Sequence, residues 1–203
     1  MVELFLKGGM FMWPILIFGI VGLAIGIWKL YTLYMHGVNT RKFMADIRAA
    51  LKKGGINQAL EICENTRGSV ASIMHAGLSR AKDGIENAEK AITNAGSIEM
   101  AFLERGMVWL GFVIVIAPLL GFTGTVWGMI VAFEAIETAN DISPAIVAGG
   151  ISQALLTTAF GLIVAIIIQF FYNWATSRID KLITDMEEAS VELVDTLIDM
   201  QGK

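Results

Sequence analysis

The stretch that decides the fold is Ile142–Ser177, ISPAIVAGGISQALLTTAFGLIVAIIIQFFYNWATS, which has no charged residue in 36 consecutive positions. About 20 apolar residues already span a bilayer core, so the stretch predicts a membrane helix. It nevertheless carries polar side chains, at Gln153, Thr157, Thr158 and Gln169. Because hydroxyl and amide groups inside hydrocarbon are unfavourable unless they face protein or water, this pattern favours an ion path over a plain anchor.

The composition agrees with a membrane protein, since 55% of the residues are hydrophobic and only 17% are charged. A net charge of -4 disfavours nucleic-acid binding, which requires a concentrated basic surface. The single cysteine, Cys63, is expected to be a small buried residue and not a reactive thiol. His36 and His75 lack the spaced ligands of a metal site, so no metal is expected. The sequence shows neither a set of catalytic nucleophile and base residues nor a phosphate-binding loop, so an enzyme is not expected.

Two further apolar runs, Gly8–Trp28 and Gly106–Phe133, complete a set of three predicted membrane helices. A cleavable signal peptide is the alternative for the first run, but its length and the lack of a small-residue cleavage site favour a retained helix. The link between the second and third helices has Glu137 and Asp141 and no basic residue, whereas Lys and Arg follow the first and third helices. The positive-inside rule therefore predicts an external N-terminus and a cytoplasmic C-terminus.

The predicted fold is an all-α membrane protein with long cytoplasmic helical extensions. Its segments are a periplasmic lead-in (1–10), a first membrane helix (11–35), a cytoplasmic helical insert (36–105), a second membrane helix (106–136), a short periplasmic loop (137–143), a third membrane helix (144–174) and a cytoplasmic amphipathic C-terminal helix (175–203). Breaks in the insert are expected at Gly54-Gly55, Gly68 and Gly84. The helix over 87–103 is expected to continue into the second membrane helix.

The C-terminal helix has apolar residues at near-heptad spacing, with acidic residues between them. This pattern predicts an amphipathic helix that packs either against the insert of its own chain or between subunits. The apolar positions are Ile179, Leu182, Met186, Ala189, Leu193, Leu197 and Met200.

Small residues recur along the second and third membrane helices. Gly121, Gly124 and Gly128 lie within two turns of the second, and Gly161 follows Gln153 and Thr157 at four-residue intervals in the third. Such stripes predict close helix packing. By composition alone, a packed bundle whose threonine hydroxyls bond back to their own helices is as compatible with this pattern as an ion path is.

Two motifs carry a family resemblance. The segments 117–130, APLLGFTGTVWGMI, and 150–162, GISQALLTTAFGL, closely resemble the second and third membrane helices of the MotA/TolQ/ExbB proton channel family. The order of the motifs and the three-helix layout are similar to the TolQ/ExbB branch. On this resemblance, Thr125 and Thr158 are expected to line a pore.

The resemblance also implies a machine in the bacterial inner membrane. Members of the family form a multi-pass homopentamer around two copies of a single-span partner of the ExbD or TolR type, which brings a membrane aspartate. Ion flow then drives mechanical work on the envelope, and a TonB- or TolA-type protein is implied as a further partner. The alternative function is a structural membrane scaffold that holds a partner complex without conducting.

Two positions depart from the TolQ/ExbB pattern. Gln153 stands where a glutamate is common, and Thr157 stands where a small residue is common. The Thr157-Thr158 pair resembles that of sodium-driven flagellar stators. Gln153 and Thr157 lie about 40° apart on a helical wheel, so both can face one transient sodium site together with Thr158.

No cofactor is expected, and the transported ion is H+ or Na+, with sodium favoured. The alternative is that Gln153 and Thr157 only form hydrogen bonds between neighbouring subunits.

Overall fold

The computed structural model describes residues 2–37, 39–139 and 144–201, and it contains no strand within these ranges. The all-helical expectation is confirmed. The elements are α1 (Val2–Lys7), α2 (Met12–His36), α3 (Thr40–Asn65), α4 (Ser69–Arg80), a 3-10 turn (Ala81–Asp83), α5 (Ile85–Glu104), α6 (Met107–Ala139) and α7 (Pro144–Gln201).

Three helices among the described residues are long and apolar enough to cross a membrane, as expected. The candidate spans lie within Met12–Lys53, Ile85–Thr138 and Val147–Met200. Residues 140–143, which form most of the predicted loop over 137–143, lie outside the described residues. The first three residues of that predicted loop belong to α6.

The chain divides into two compact units. The apolar unit comprises Met1–Lys29 and Gly106–Trp174, and the polar unit comprises Leu30–Arg105 and Ala175–Lys203. Each unit is assembled from segments distant in sequence, because α2 and α7 each contribute one part to the apolar unit and one part to the polar unit.

In the apolar unit, glycines of α2 lie against large side chains of α7. A Cβ atom at Gly19 would lie 3.2 Å from a methyl carbon of Val164, and one at Gly26 would lie 3.0 Å from the ring of Phe171. Gly22 lies between Ile168 and Val113, which belong to the buried apolar cluster of this unit. No sequence pattern had indicated this glycine stripe of the first membrane helix.

In the polar unit, the predicted helix breaks are confirmed. Gly55, Gly68 and Gly84 have φ angles of 72°, 144° and 109°. L-residues with a side chain rarely adopt positive φ, so glycine is the residue that permits these three changes of direction.

The predicted continuity of the insert with the second membrane helix is wrong. α5 ends at Glu104 and α6 begins at Met107. Gly106 has a φ of 90°, and Arg105 has an extended ψ of 127°. Both angles are incompatible with an uninterrupted α-helix.

The C-terminal part of α7 packs against the insert of its own chain. Six of its seven predicted apolar positions are buried, whereas Met200 is exposed. Arg48 of α3 pairs with Glu192, and the hydroxyl of Thr40 donates to a carboxylate oxygen of Asp185 at 3.2 Å. These contacts support the first of the two packing alternatives for this helix.

Two glycines of the polar unit provide a matched test of this packing. A Cβ at Gly77 would lie 2.6 Å from Cγ1 of Ile92, whereas a Cβ at Gly96 would meet nothing within 4 Å. Overpacking predicts that Gly77→Ala lowers the free energy of unfolding by about 1–3 kcal/mol. Gly96→Ala should raise it by up to about 1 kcal/mol, because alanine favours helix. Thermal unfolding of the full chain in detergent measures both, and equal stability of the two variants would contradict the packing.

Candidate functional site

The candidate site lies where α6 and α7 meet, and glycines of both helices form the contact. The pairs run in opposite directions along the two helices, so the helices are antiparallel. A Cβ at Gly161 would lie 2.6 Å from the carbonyl oxygen of Ala117, and one at Gly128 would lie 2.9 Å from that of Gly150. Real Cβ atoms do not approach backbone oxygen so closely, so the two backbones meet at a distance that only glycine permits.

Gly121 and Gly124 lie opposite Thr157. A Cβ at Gly121 would lie 3.0 Å from the carbonyl oxygen of Thr157, and one at Gly124 would lie 2.7 Å from its Cβ. The four glycines that the sequence analysis named for packing therefore all lie in this contact.

Thr157 is fully buried, and its hydroxyl group bonds to its own helix. It donates to the carbonyl oxygen of Ala154 at 2.8 Å, and the carbonyl of Gln153 is a second acceptor at 3.3 Å. A buried hydroxyl without a partner is unfavourable in an apolar medium, and these carbonyls satisfy it. The side chain of Thr157 therefore fills the space opposite Gly124.

Thr158 makes a different contact, across to α6. Its hydroxyl donates to the carbonyl oxygen of Gly121 at 3.2 Å, and its side chain is partly exposed. Thr125, one turn beyond Gly121, is also partly exposed and donates to the carbonyl of Phe122 at 2.6 Å. Gly121 thus stands between the two threonines that the family resemblance assigns to a pore.

Aromatic contacts show which side of α6 the first membrane helix covers. Phe11 lies 6.3 Å from Trp127 and Phe18 lies 5.8 Å from Phe112, measured between ring centroids. Thr125 is about 160° from Trp127 on a helical wheel. The hydroxyl of Thr125 therefore belongs to a face of α6 that the first membrane helix leaves uncovered.

Gln153 contacts the turn between α1 and α2. A Cβ at Gly9 would lie 2.9 Å from the amide carbon of Gln153, so the side-chain amide lies directly against the glycine backbone. Thr158 is about 140° away from Gln153 around α7. The structure thus gives Gln153, Thr157 and Thr158 different contacts: with the N-terminal turn, with their own helix and with α6, respectively.

A fourth polar feature was left out of the predicted site. The side-chain amide of Gln169 donates to the side-chain oxygen of Asn173 at 2.8 Å. Both residues lie within about 60° of Thr158 on a helical wheel, which places them on the same side of α7. The spacing of two amide residues by four positions was the available sequence signal.

The uncharged lengths of α6 and α7 offer no acid or base near neutral pH. From Met107 to Phe133 and from Pro144 to Ser177 the sequence has no Asp, Glu, Lys, Arg or His. Threonine hydroxyls and amide groups can form hydrogen bonds or ligate a cation, but they cannot hold or release a proton at pH 7.

Outside this contact, the polar unit contains the single cysteine and a charged cavity. Burial, and secondarily the charge of Glu64, raises the pKa of the Cys63 thiol to about 12, so Cys63 is an unreactive buried residue, as predicted. A cavity of about 920 Å³ is lined by basic and acidic side chains, including Arg41, Lys181 and Glu188. Within the described ranges, no group of three His, Cys, Asp or Glu side chains could hold a metal ion.

Comparison with known proteins gives a consistent result. Residues 65–188 match the model of the MotA/TolQ/ExbB proton channel family. A putative biopolymer transport protein ExbB homologue from Methanothermobacter thermautotrophicus is 33% identical over 91% of this chain and 66% of its own length. The Tol-Pal system protein TolQ of Haemophilus influenzae is 35% identical over 50% of this chain and 44% of its own length.

A third relative, the biopolymer transport protein ExbB of Pseudomonas putida, is 29% identical over 90% of this chain and 60% of its own length. The alignments with these three relatives thus span between 44% and 66% of the relatives' lengths.

The contact between α6 and α7 can be tested with two glycines of α7. Gly161→Ala places a Cβ against the backbone of Ala117, which cannot move aside, so we expect a loss of about 1–3 kcal/mol in stability. Gly149→Ala is the matched control, because a Cβ there meets nothing within 4 Å. The midpoint of thermal unfolding in mild detergent measures both. Equal midpoints for Gly161→Ala and wild type would contradict the close approach.

Proposed function

Because this chain belongs to the MotA/TolQ/ExbB proton channel family, we propose that it is the inner-membrane subunit of an ion-driven motor of the ExbB/TolQ type. Cation flow through an assembly of five copies would drive a dimeric single-span partner and deliver mechanical work to the envelope. The names of two relatives, biopolymer transport protein and Tol-Pal system protein, support a role in envelope transport or maintenance.

The observation that carries this proposal is the position of two hydroxyl groups. Thr125 and Thr158 flank Gly121 on faces of α6 and α7 that the first membrane helix leaves uncovered. In a ring of subunits, these faces would line the central pore. Hydroxyl groups at the margin of a tight helix pair suit a path for a partly dehydrated cation, because they replace water oxygens without adding charge.

A carboxylate must come from elsewhere if the ion is a proton. The two helices carry no titratable group near neutral pH along their uncharged lengths. A single-span partner of the ExbD or TolR type, with an aspartate inside the membrane, would supply it. Each ion that crosses releases about 2.3 kcal/mol per 100 mV, which is enough to bias one conformational step.

The proposed orientation places the N-terminus outside and the polar unit in the cytoplasm. Basic residues follow the first and third apolar runs, whereas none occurs between Glu137 and Ser143. The positive-inside rule supports this direction.

Sodium is proposed in preference to the proton as the coupling ion. The hydroxyl oxygens of Thr157 and Thr158 are hard donors of the kind that alkali cations accept. Thr157 would reach an ion only when the contact opposite Gly124 loosens, because its side chain is fully buried. The spacing of Gln153 and Thr157 predicted that both would face one sodium site. The amide of Gln153 contacts Gly9 instead, so it gives this proposal little support.

The alternative function is a non-conducting scaffold for a partner complex. Purified chain and partner in liposomes separate the two proposals, because a scaffold produces no ion flux above that of the partner alone. The partner to use is a single-span protein of the ExbD or TolR type with an aspartate inside the membrane.

We expect Thr158→Val to abolish most of the partner-dependent ion flux while leaving the assembly intact. A hydrogen bond to a charged group contributes about 1.5 kcal/mol or more, which corresponds to a loss of about tenfold in flux. The loss in stability should be only about 0.6 kcal/mol, a typical value for a membrane hydrogen bond.

Thr123→Val is the matched control. Thr123 also bonds back to its own helix, at Leu119, and it is exposed, but it lies about 160° from Thr125 around α6 and so away from the proposed pore face. Full flux in Thr158→Val, or an equal loss in Thr123→Val, would exclude the proposed pore face.

For the coupling ion, we expect flux at fixed pH and membrane potential to rise and saturate with external sodium. Thr157→Ala should raise the sodium concentration for half-maximal flux by about fivefold or more, and Thr157→Ser, which keeps the hydroxyl, should change it little. A sodium-sensitive dye in the liposome lumen reports the flux. A flat response to sodium in wild type would exclude sodium and leave the proton as the coupling ion.

A further inference from the structure

Gln153 lies in a contact that the ion path does not require. Its side-chain amide is packed against Gly9, and the Cγ atom of Gln153 lies 3.6 Å from the position that a Cβ at Gly9 would take. Gly9 has a φ of 75°, a conformation that glycine adopts without strain. The amide of Gln153 therefore reaches the backbone of the turn between α1 and α2 only because residue 9 has no side chain.

The N-terminal turn has two further contacts within the apolar unit. The ring of Phe5 lies edge-on to that of Trp13, with centroids 5.3 Å apart, and Phe11 lies 6.3 Å from Trp127. The first contact joins α1 to α2, and the second joins the turn itself, at Phe11, to α6. Gln153 supplies the contact with α7, so the turn is attached to all three apolar helices.

We propose that Gln153 is a positioning residue that holds the N-terminal turn against α7, and that its amide does not ligate the transported cation. This proposal rests on the proposed function only where ion flux is measured, and the contact itself can be tested without it. Gln153 acts through Gly9, on the side of α7 that faces the first membrane helix, and Thr158 lies about 140° away on the opposite side. A cation at Thr158 and Thr125 would meet their hydroxyls and not this amide.

A disulfide that replaces the contact tests the proposal. The variant is Gly9→Cys/Gln153→Cys in a Cys63→Ala background, oxidised with copper-phenanthroline in air and reduced with dithiothreitol. The new Cβ at residue 9 would lie 3.6 Å from the Cγ position of Gln153 that a sulfur atom would take, so a small shift of the turn brings the two cysteines to disulfide geometry. Gly9→Cys/Ser152→Cys is the matched control, because Ser152 is the exposed neighbour of Gln153 and points about 100° away from it.

We expect the first pair to cross-link within one chain, as identified by mass spectrometry of the linked peptides, and the control pair to remain reduced. This readout needs no activity, so it stands even if the proposed motor function fails. Absence of the cross-link, or equal cross-linking of the control, would overturn the contact itself.

Ion flux with the partner then distinguishes positioning from ligation. If Gln153 positions the turn, the reduced double-cysteine variant should lose about fivefold or more of its flux, and the disulfide should restore it. If the amide ligates the cation, oxidised and reduced forms should be equally impaired, because both lack it. Full flux in both forms would show that the contact has no role. Either of the last two results would overturn the proposal.

Discussion

The close approach of α6 and α7 is the contact on which the rest of the apolar unit depends. In a bilayer, apolar surface gains little by leaving lipid, so helices associate through van der Waals contact and a few hydrogen bonds. Gly128 and Gly161 bring the two backbones together at distances that exclude a Cβ, and a Cβ at Gly121 would be in tight contact at 3.0 Å. This approach allows the hydroxyl of Thr158 to reach the carbonyl of Gly121, and it leaves the side chain of Thr157 fully buried opposite Gly124. The positions of the Thr157 and Thr158 side chains follow from it.

Three neighbouring polar residues of α7 make three different contacts. Thr157 is satisfied by its own helix, Thr158 by the facing helix, and Gln153 contacts the N-terminal turn. Thr158, like Thr125 across the contact, is partly exposed, and it lies on the opposite side of α7 from Gln153. Under the proposed function, the conducting chemistry of this chain would lie in threonine hydroxyl groups beside glycines, and a proton-driven version would need a titratable group from another protein.

Sequence patterns predicted the elements better than their contacts. The uncharged stretches indicated the three apolar helices, and Gly55, Gly68 and Gly84 marked helix breaks because each position requires a positive φ. Gly106 carried the same signal after Arg105, but the helical periodicity on both sides of it predicted an unbroken helix. The glycine stripe of α2 was missed for a different reason. It lies among uniformly apolar residues, where no polar neighbour marks which side of the helix is packed.

The amino-acid sequence by itself determined the helical fold, the three apolar spans, the family and the absence of charge along α6 and α7, because composition and motif order are properties of the chain alone. Only the tertiary structure decided which way each polar group of α7 points. A rotation of about 40° separates Gln153 from Thr157 on the helix surface. Whether the two side chains then share one site or make separate contacts depends on the segment that lies opposite each of them. Here Gly9 lies opposite one and Gly124 opposite the other, because residues far apart in sequence are brought together by the packing of three helices.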